Sequence, residues 1–284
     1  MSSLQSQHDT LSWEQYDRTT FEVVDSTTNS DAKYFDQLAS VLAVWRRDGS
    51  LTRSLAYNYH TFARQLRLPR PELGLTYIDT ALAMKAEIGD IKRDIAQSHY
   101  AKGRILTRLG NHQRALRTYD LALQLMNETF SEQDSIPDLA RRLAYFYVEG
   151  AESARENGNY ALADLRLKQI PRLIKIYDNP QTIFEAAFVQ ADVNGDRGEY
   201  QAAVSAYQML KNLPYYEMSR VHDRAAIHHN TGIYYNKMKK ARQAEISIRR
   251  AIELRTGTNN KENLSFSQSS LVSALNLQGR AQSR

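Results

Sequence analysis

Apolar positions recur three and four residues apart over most of the chain, the period of an amphipathic helix. No stretch keeps up the alternation of apolar and polar positions that marks a half-buried strand. Gly, Asn and Pro punctuate the pattern. Between them, helices are predicted at 12–26, 31–47, 51–67, 71–87, 91–109, 111–128, 137–157, 159–177, 180–195, 199–212, 217–238, 240–255 and 262–279. Pro71 and Pro137 stand where a first helical turn tolerates proline, and Pro180 and Pro214 fall in connections.

The helices follow a repeated grammar. In the segment Gly103 to Leu123 a small residue sits midway along one apolar-periodic stretch. The turn Gly110-Asn111 follows, and then Ala115, Tyr119 and Ala122 share one face of a second stretch. The same order recurs as Ala151, Gly158-Asn159 and Ala163, as Ala191, Gly198-Glu199 and Ala203, and as Gly232, Lys239-Lys240 and Ala244. A looser copy runs from Phe62 through Pro69-Arg70 to Gly74 and Ala81. The period is about 40 residues, with one longer step between the turns at 110 and 158.

These residues resemble the tetratricopeptide repeat family, a helix–turn–helix unit in which small residues let paired helices approach closely. The copy at 96–129 carries Gly103, Leu109-Gly110, Ala115, Tyr119 and Ala122 at the family's marker positions, and the resemblance covers roughly 55–258. The period exceeds the 34 residues usual for the family, and His99 stands near the place of its opening aromatic. Longer units of this kind occur in bacterial regulatory and signalling members and in motor adaptors. The resemblance implies an all-α, right-handed solenoid of antiparallel helix pairs. No pair can bury its apolar face alone, so stacking builds one continuous core. The expected organisation is a disordered tail at 1–11, a degenerate leading pair at 12–48, five repeats at 49–258, and a final helix at 259–284 that is either a cap or the first half of a sixth repeat.

Composition narrows the chemistry. With no cysteine among 284 residues there is no disulfide framework, Cys-ligated metal or thiol nucleophile. Only 12 Gly and 6 Pro argue against a turn-rich sandwich or barrel. The net charge of +5 conceals a polar molecule: residues 1–50 hold eight acidic residues against four basic ones, and residues 237–284 hold ten basic against three acidic. A nucleic-acid footprint would more often be one continuous basic stripe. No apolar run has the length of a membrane span, and the first residues lack the basic start and apolar stretch of a signal peptide. A soluble chain is expected, with cytoplasm favoured over periplasm but both open.

In the resemblance, the first helix of each pair lines a concave groove that usually binds peptides. Counting along those helices, one groove position reads Tyr59, Tyr100, Val148, Phe188 and His229. The next reads Ala63, Arg104, Glu152, Asp192 and Ile233, and a third reads Arg67, Arg108, Glu156, Asp196 and Lys237, with Asn236 beside it. The expected groove is aromatic along its floor, basic at its start (Arg67, Arg104, Arg108) and acidic in its middle (Glu152, Glu156, Asp192, Asp196). The plainer alternative is that opposite charges on adjacent helices pair with each other, for about 0–1 kcal/mol each. The family's Lys/Asn carboxylate clamp for chaperone C-termini is absent.

Other motifs have simpler explanations. Asp192-Val-Asn194-Gly-Asp196 starts like a calcium loop, but Arg197 stands where its glycine is due and Ala203 where its bidentate Glu is due. The pairs Glu152/Glu156 and Asp192/Asp196 are spaced to share a cation, yet such pairs are common on solvated helix faces. His222, His228 and His229 lack the spacing by which two imidazoles share zinc on a helix. No nucleophile elbow, phosphate loop or dinucleotide fingerprint is present. No catalytic residue, metal or cofactor is therefore expected. The sequence points to a protein- or peptide-binding module, and the resemblance implies its setting, the sensor or partner-recognition part of a bacterial regulatory or signalling system. One alternative is a scaffold self-associating as a homodimer through 262–284, burying Leu264, Phe266, Leu271, Leu275 and Leu277. Another is a helical-repeat RNA binder, disfavoured because equivalent groove positions change from Arg to Asp.

Overall fold

The computed structural model describes residues 53–130, 137–256 and 261–282. The expected tail at 1–11 and leading pair at 12–48 lie outside these residues. Twelve helices and no strand run through the described residues. They are α1 (Arg53–Leu66), α2 (Pro71–Glu87), α3 (Lys92–Arg108), α4 (His112–Thr129), α5 (Pro137–Glu156), α6 (Tyr160–Leu167), α7 (Ile170–Ile174), α8 (Pro180–Asp196), α9 (Tyr200–Leu210), α10 (Val221–Lys237), α11 (Ala241–Thr256) and α12 (Lys261–Gln282).

Close packing within each pair follows from the small residues. A Cβ added at Gly103 on α3 would stand 2.8 Å from the ring of Tyr119 on α4, closer than carbon atoms approach. At Gly232 on α10 it would stand 2.4 Å from Ile248 on α11. Ala151 and Ala191 take the equivalent place in the intervening pairs and are fully buried. Each pair leaves an apolar face that the next one covers. One buried cluster runs from Ala96 and Met126 through Leu143, Ala151 and Ala163 to Val193, flanked by clusters around Phe62 and Ile78 and around Phe184, Tyr207 and Ile227. The first helices form an inner layer, in which α1 meets α3, α3 meets α5, α5 meets α8, and α10 meets α12.

The turn at the end of each first helix is built the same way in four successive pairs. At Gly110 (φ 69°) the chain enters the left-handed region, and Asn111 N–H donates back to Leu106 O at 2.9 Å, closing the helix with a Schellman-type bond. Asn111 then caps α4, its side chain accepting from Arg114 N–H. Lys239 stands at the same place between α10 and α11 with φ 60°, and Lys240 N–H donates to Tyr235 O at 2.8 Å.

The single helix expected over 159–177 is two, α6 and α7, separated at 168–169. Pro171 explains the break. It has no N–H to donate to Leu167, and its ring would collide with that residue's carbonyl. The eight-residue α6 is anchored by Arg166, a buried guanidinium that donates to Gly150 O on α5 and pairs with Asp120 on α4.

Residues 192–196 are helical, the last turn of α8, which removes them from calcium-loop geometry. At the far end α12 rests on α11 through Ala274 and Leu271 packed with Ile248. No helix among the described residues is long and apolar enough to cross a membrane.

Candidate functional site

The inner helices enclose a groove of about 490 Å³ between α1, α3, α5 and α8. Its floor is aromatic: Tyr100 on α3 lies flat on Phe146 on α5, their ring centroids 4.2 Å apart and planes 5° from parallel, and Tyr145 stands nearby in the lining. Tyr100 also meets Tyr119 edge-on at 5.9 Å, so second-helix packing holds the floor in place. Burial pushes the Tyr100 phenol well above its ordinary pKa, keeping it a neutral hydrogen-bond donor.

Cations gather along the walls. Arg64 and Arg67 come from the end of α1, Arg104 from α3, and Arg141 and Arg142 from the first turns of α5. Arg104 lies over the Tyr100 ring at 5.8 Å and forms an ion pair with Glu149 at 3.3 Å, in a geometry that leaves its buried Nε without a hydrogen bond. Arg141 and Arg142 both hold Asp138 one turn back, Arg142 at 2.6 Å. Glu185, on α8, accepts from Gln181 Nε2 at 2.8 Å. His60 in the lining is held neutral, its pKa lowered to about 3 by burial and then by Lys85 and Arg64.

Of the residues expected in the groove, Arg67, Tyr100 and Arg104 line this cleft together. Tyr59 does not. It is 5% exposed and stacks on Tyr77 at 5.6 Å inside the core. Phe188 is packed with Phe184 and against the edge of Tyr207. Arg108 is exposed at the end of α3, outside the cleft lining. Glu152 pairs with Arg155 at 2.8 Å, and Arg155 reaches across to Asp196 on α8. Glu156 meets His112 at 2.6 Å. Glu152 and Asp196 are tied to Arg155 and Glu156 meets an imidazole, so these carboxylates do not form an open acidic wall, and no cluster of metal-ligating side chains occurs among the described residues. Asp192 is buried, accepting from Tyr207 Oη and from Asn230 Nδ2 at 3.2 Å, and burial lifts its carboxyl to about 6. His229 and Asn236 face the last helix, with His229 Nδ1 3.0 Å from Ser267 Oγ and Asn236 Nδ2 donating to Ser270 O at 3.4 Å.

The count along the helices missed Arg64, Gln65, Gln97, Arg141, Tyr145, Glu149 and Glu185. On α1 the column was one residue out of phase, since His60 and Arg64 face the cleft where Tyr59 and Ala63 face the core. One residue turns a helical position by about 100°. On α5 the groove uses the stretch from Arg141 to Glu149, so Glu149 lines it while Val148 is buried. The polar i, i+4 stripe Arg141–Tyr145–Glu149 was the available signal.

Residues 96–127 match the family model described as tetratricopeptide repeat. No curated protein sequence matches the chain. Solved structures that resemble it share its fold at low identity. The apo form of the quorum sensor NprR from B. thuringiensis has a TM-score of 0.65 and 16% identity, over 98% of this chain and 74% of that one. BtubC (BKLC) from P. vanneervenii has 0.64 and 13%, over 82% and 94%. A Rap protein complexed with Competence and Sporulation Factor has 0.53 and 16%, over 82% and 66%. The repeated Schellman-type turns, the close-packed small residues and the matched unit at 96–127 thus place one tetratricopeptide repeat within a chain that shares the helical-repeat fold of these structures.

Proposed function

We propose that this chain is a protein-interaction module that takes a peptide or an extended protein segment in the groove between α1, α3, α5 and α8. The observation that carries the reading is the stacked Tyr100–Phe146 floor beneath arginines from three helices, an amphipathic cleft of the kind that anchors a peptide side chain and orients its polar atoms. The setting we favour is the recognition part of a bacterial regulatory or signalling system. It is supported by the likeness of fold to the quorum sensor NprR and to a Rap protein bound to Competence and Sporulation Factor.

The test is selection of binders from a displayed random peptide library on the immobilised chain. Their affinity is then measured on Tyr100→Ala, on Arg104→Gln, and on a triple alanine variant of Leu165, Met209 and Ile246. Those three are exposed on the second helices. Loss of the aromatic anchor should weaken binding about tenfold or more, and the triple variant should bind as the wild type does. Melting curves establish that the variants remain folded. Binders lost on the triple variant and retained on Tyr100→Ala would overturn the groove assignment.

A second reading rests on Phe266 and Val272, which α12 leaves exposed. Self-association through this helix predicts that Phe266→Ser with Val272→Ser lowers the mass seen in sedimentation. A wild type that already sediments as a monomer removes it.

A further inference from the structure

The charges in the groove do not balance where they stand, and this extends the peptide-binding reading, on which it rests. Arg64 and Arg67 have no ion-pair partner among the described residues. Burial, and then the like charge of Arg104, hold the Arg67 pKa below the ordinary arginine value. Arg104 has one carboxylate, Glu149, and a buried Nε with no hydrogen bond; the nearby Gln65 Oε1 is also buried and unpaired among the described residues. The opposite condition holds on α8. Glu185 has a hydrogen bond from Gln181 but no cation within ion-pair distance among the described residues, and burial together with Glu149 raises its carboxyl pKa. Uncompensated charges in a partly desolvated cleft are costly, and a ligand bearing the opposite charges relieves that cost on binding.

We propose that the groove selects a peptide segment carrying a carboxylate and, further along, a cationic group. The carboxylate sits on Arg64, Arg67 and Arg104, where a guanidinium fork can hold two oxygens at once. The cation sits on Glu185. Because the two subsites lie on α1/α3 and on α8, the order of charges sets the direction in which the segment crosses the groove. A nucleic-acid backbone would satisfy the arginines but bring its phosphates against Glu149 and Glu185, so it fits less well. The carboxylate comes from an acidic side chain or a free C-terminus, and the cation from a basic side chain or a free N-terminus.

The experiment reads the sequences of library peptides selected on the wild type, on Arg67→Glu and on Glu185→Arg. Peptides from the wild type should share an acidic and a basic position at fixed separation. They should lose about tenfold or more in affinity on either variant, as expected when one member of a desolvated charge pair is reversed. Selection on Arg67→Glu should replace the acidic position by a basic one. Amidating the C-terminus or acetylating the N-terminus then tells termini from side chains. Arg64→Glu, at an exposed position, serves the same purpose if Arg67→Glu does not fold. Peptides that need Tyr100 but ignore the charges at Arg67 and Glu185 would overturn this inference and leave the groove reading standing. Peptides that ignore Tyr100 as well, or a library that yields no binder, would contradict both.

Discussion

Lys239 occupies the backbone conformation that Gly110, Gly158 and Gly198 occupy at the same turn in the preceding pairs. With a Cβ, the left-handed region costs about 1–2 kcal/mol, and glycine avoids most of that. Lys239→Gly should therefore stabilise the chain by about 1 kcal/mol and raise its melting temperature by about 2–4 °C. An unchanged or lowered value would mean that the lysine side chain contributes more than its backbone costs. This position was legible in the sequence as a turn, because Ala244 follows it at the spacing by which Ala115 follows Gly110. Its strain was not, since a lysine pattern carries no signal for positive φ. Gly103 was legible for the opposite reason: only a residue without a Cβ lets the ring of Tyr119 lie against α3.

Among the elements, the helix pairs and their turns follow from a periodicity the sequence repeats four times. The interruption at Pro171 did not emerge from periodicity, because Leu167, Ile170 and Leu173 keep an apolar spacing straight through the break and are all buried. The groove face was readable only in part. On α3 the marker glycine fixes the rotation, and Tyr100 and Arg104 stand in the cleft lining. On α1 and α5 no glycine stands at that place, and a shift of a single residue exchanges core for cleft. The least self-sufficient element is α6, short and anchored by a charge. Arg166→Ala leaves Asp120 without its cation, leaves Gly150 O without that donor, and opens space beneath α6. A loss of about 2–4 kcal/mol is expected, with amide exchange accelerating over 160–167 before the rest of the molecule. Uniform acceleration along the chain would show that α6 does not depend on this anchor.

At the scale of the whole molecule, several buried titratable groups give the solenoid a predictable response to acid. His60 is lowered by burial to about 3, and His99, His228 and His229 to about 4. Each is neutral when folded and protonates near 6.5 when unfolded. Between those values the unfolded chain binds more protons, so stability falls as pH drops below 6.5. Asp192 works the other way. Its folded carboxyl titrates at about 6 against 3.8, so it contributes stability at low pH that is lost as pH rises through about 6. Burial raises the Glu156 and Glu185 carboxyls too, and they act with Asp192. The four histidines outweigh these three carboxylates, and the melting temperature should rise between about pH 4 and pH 6.5, less steeply in His60→Gln. A flat or falling profile would contradict the burial of these imidazoles.

The same stacking that buries those groups sets α1, α3, α5 and α8 side by side, and the central claim is that a peptide lies across them. Photo-crosslinking tests it most directly. A photoreactive phenylalanine analogue is placed at Gln97, in the lining of the groove, or at Met209, exposed on α9, and each protein is irradiated with a library-selected peptide. The account predicts attachment at position 97 and none at 209. Attachment at 209 alone would place the peptide on the opposite face and contradict it.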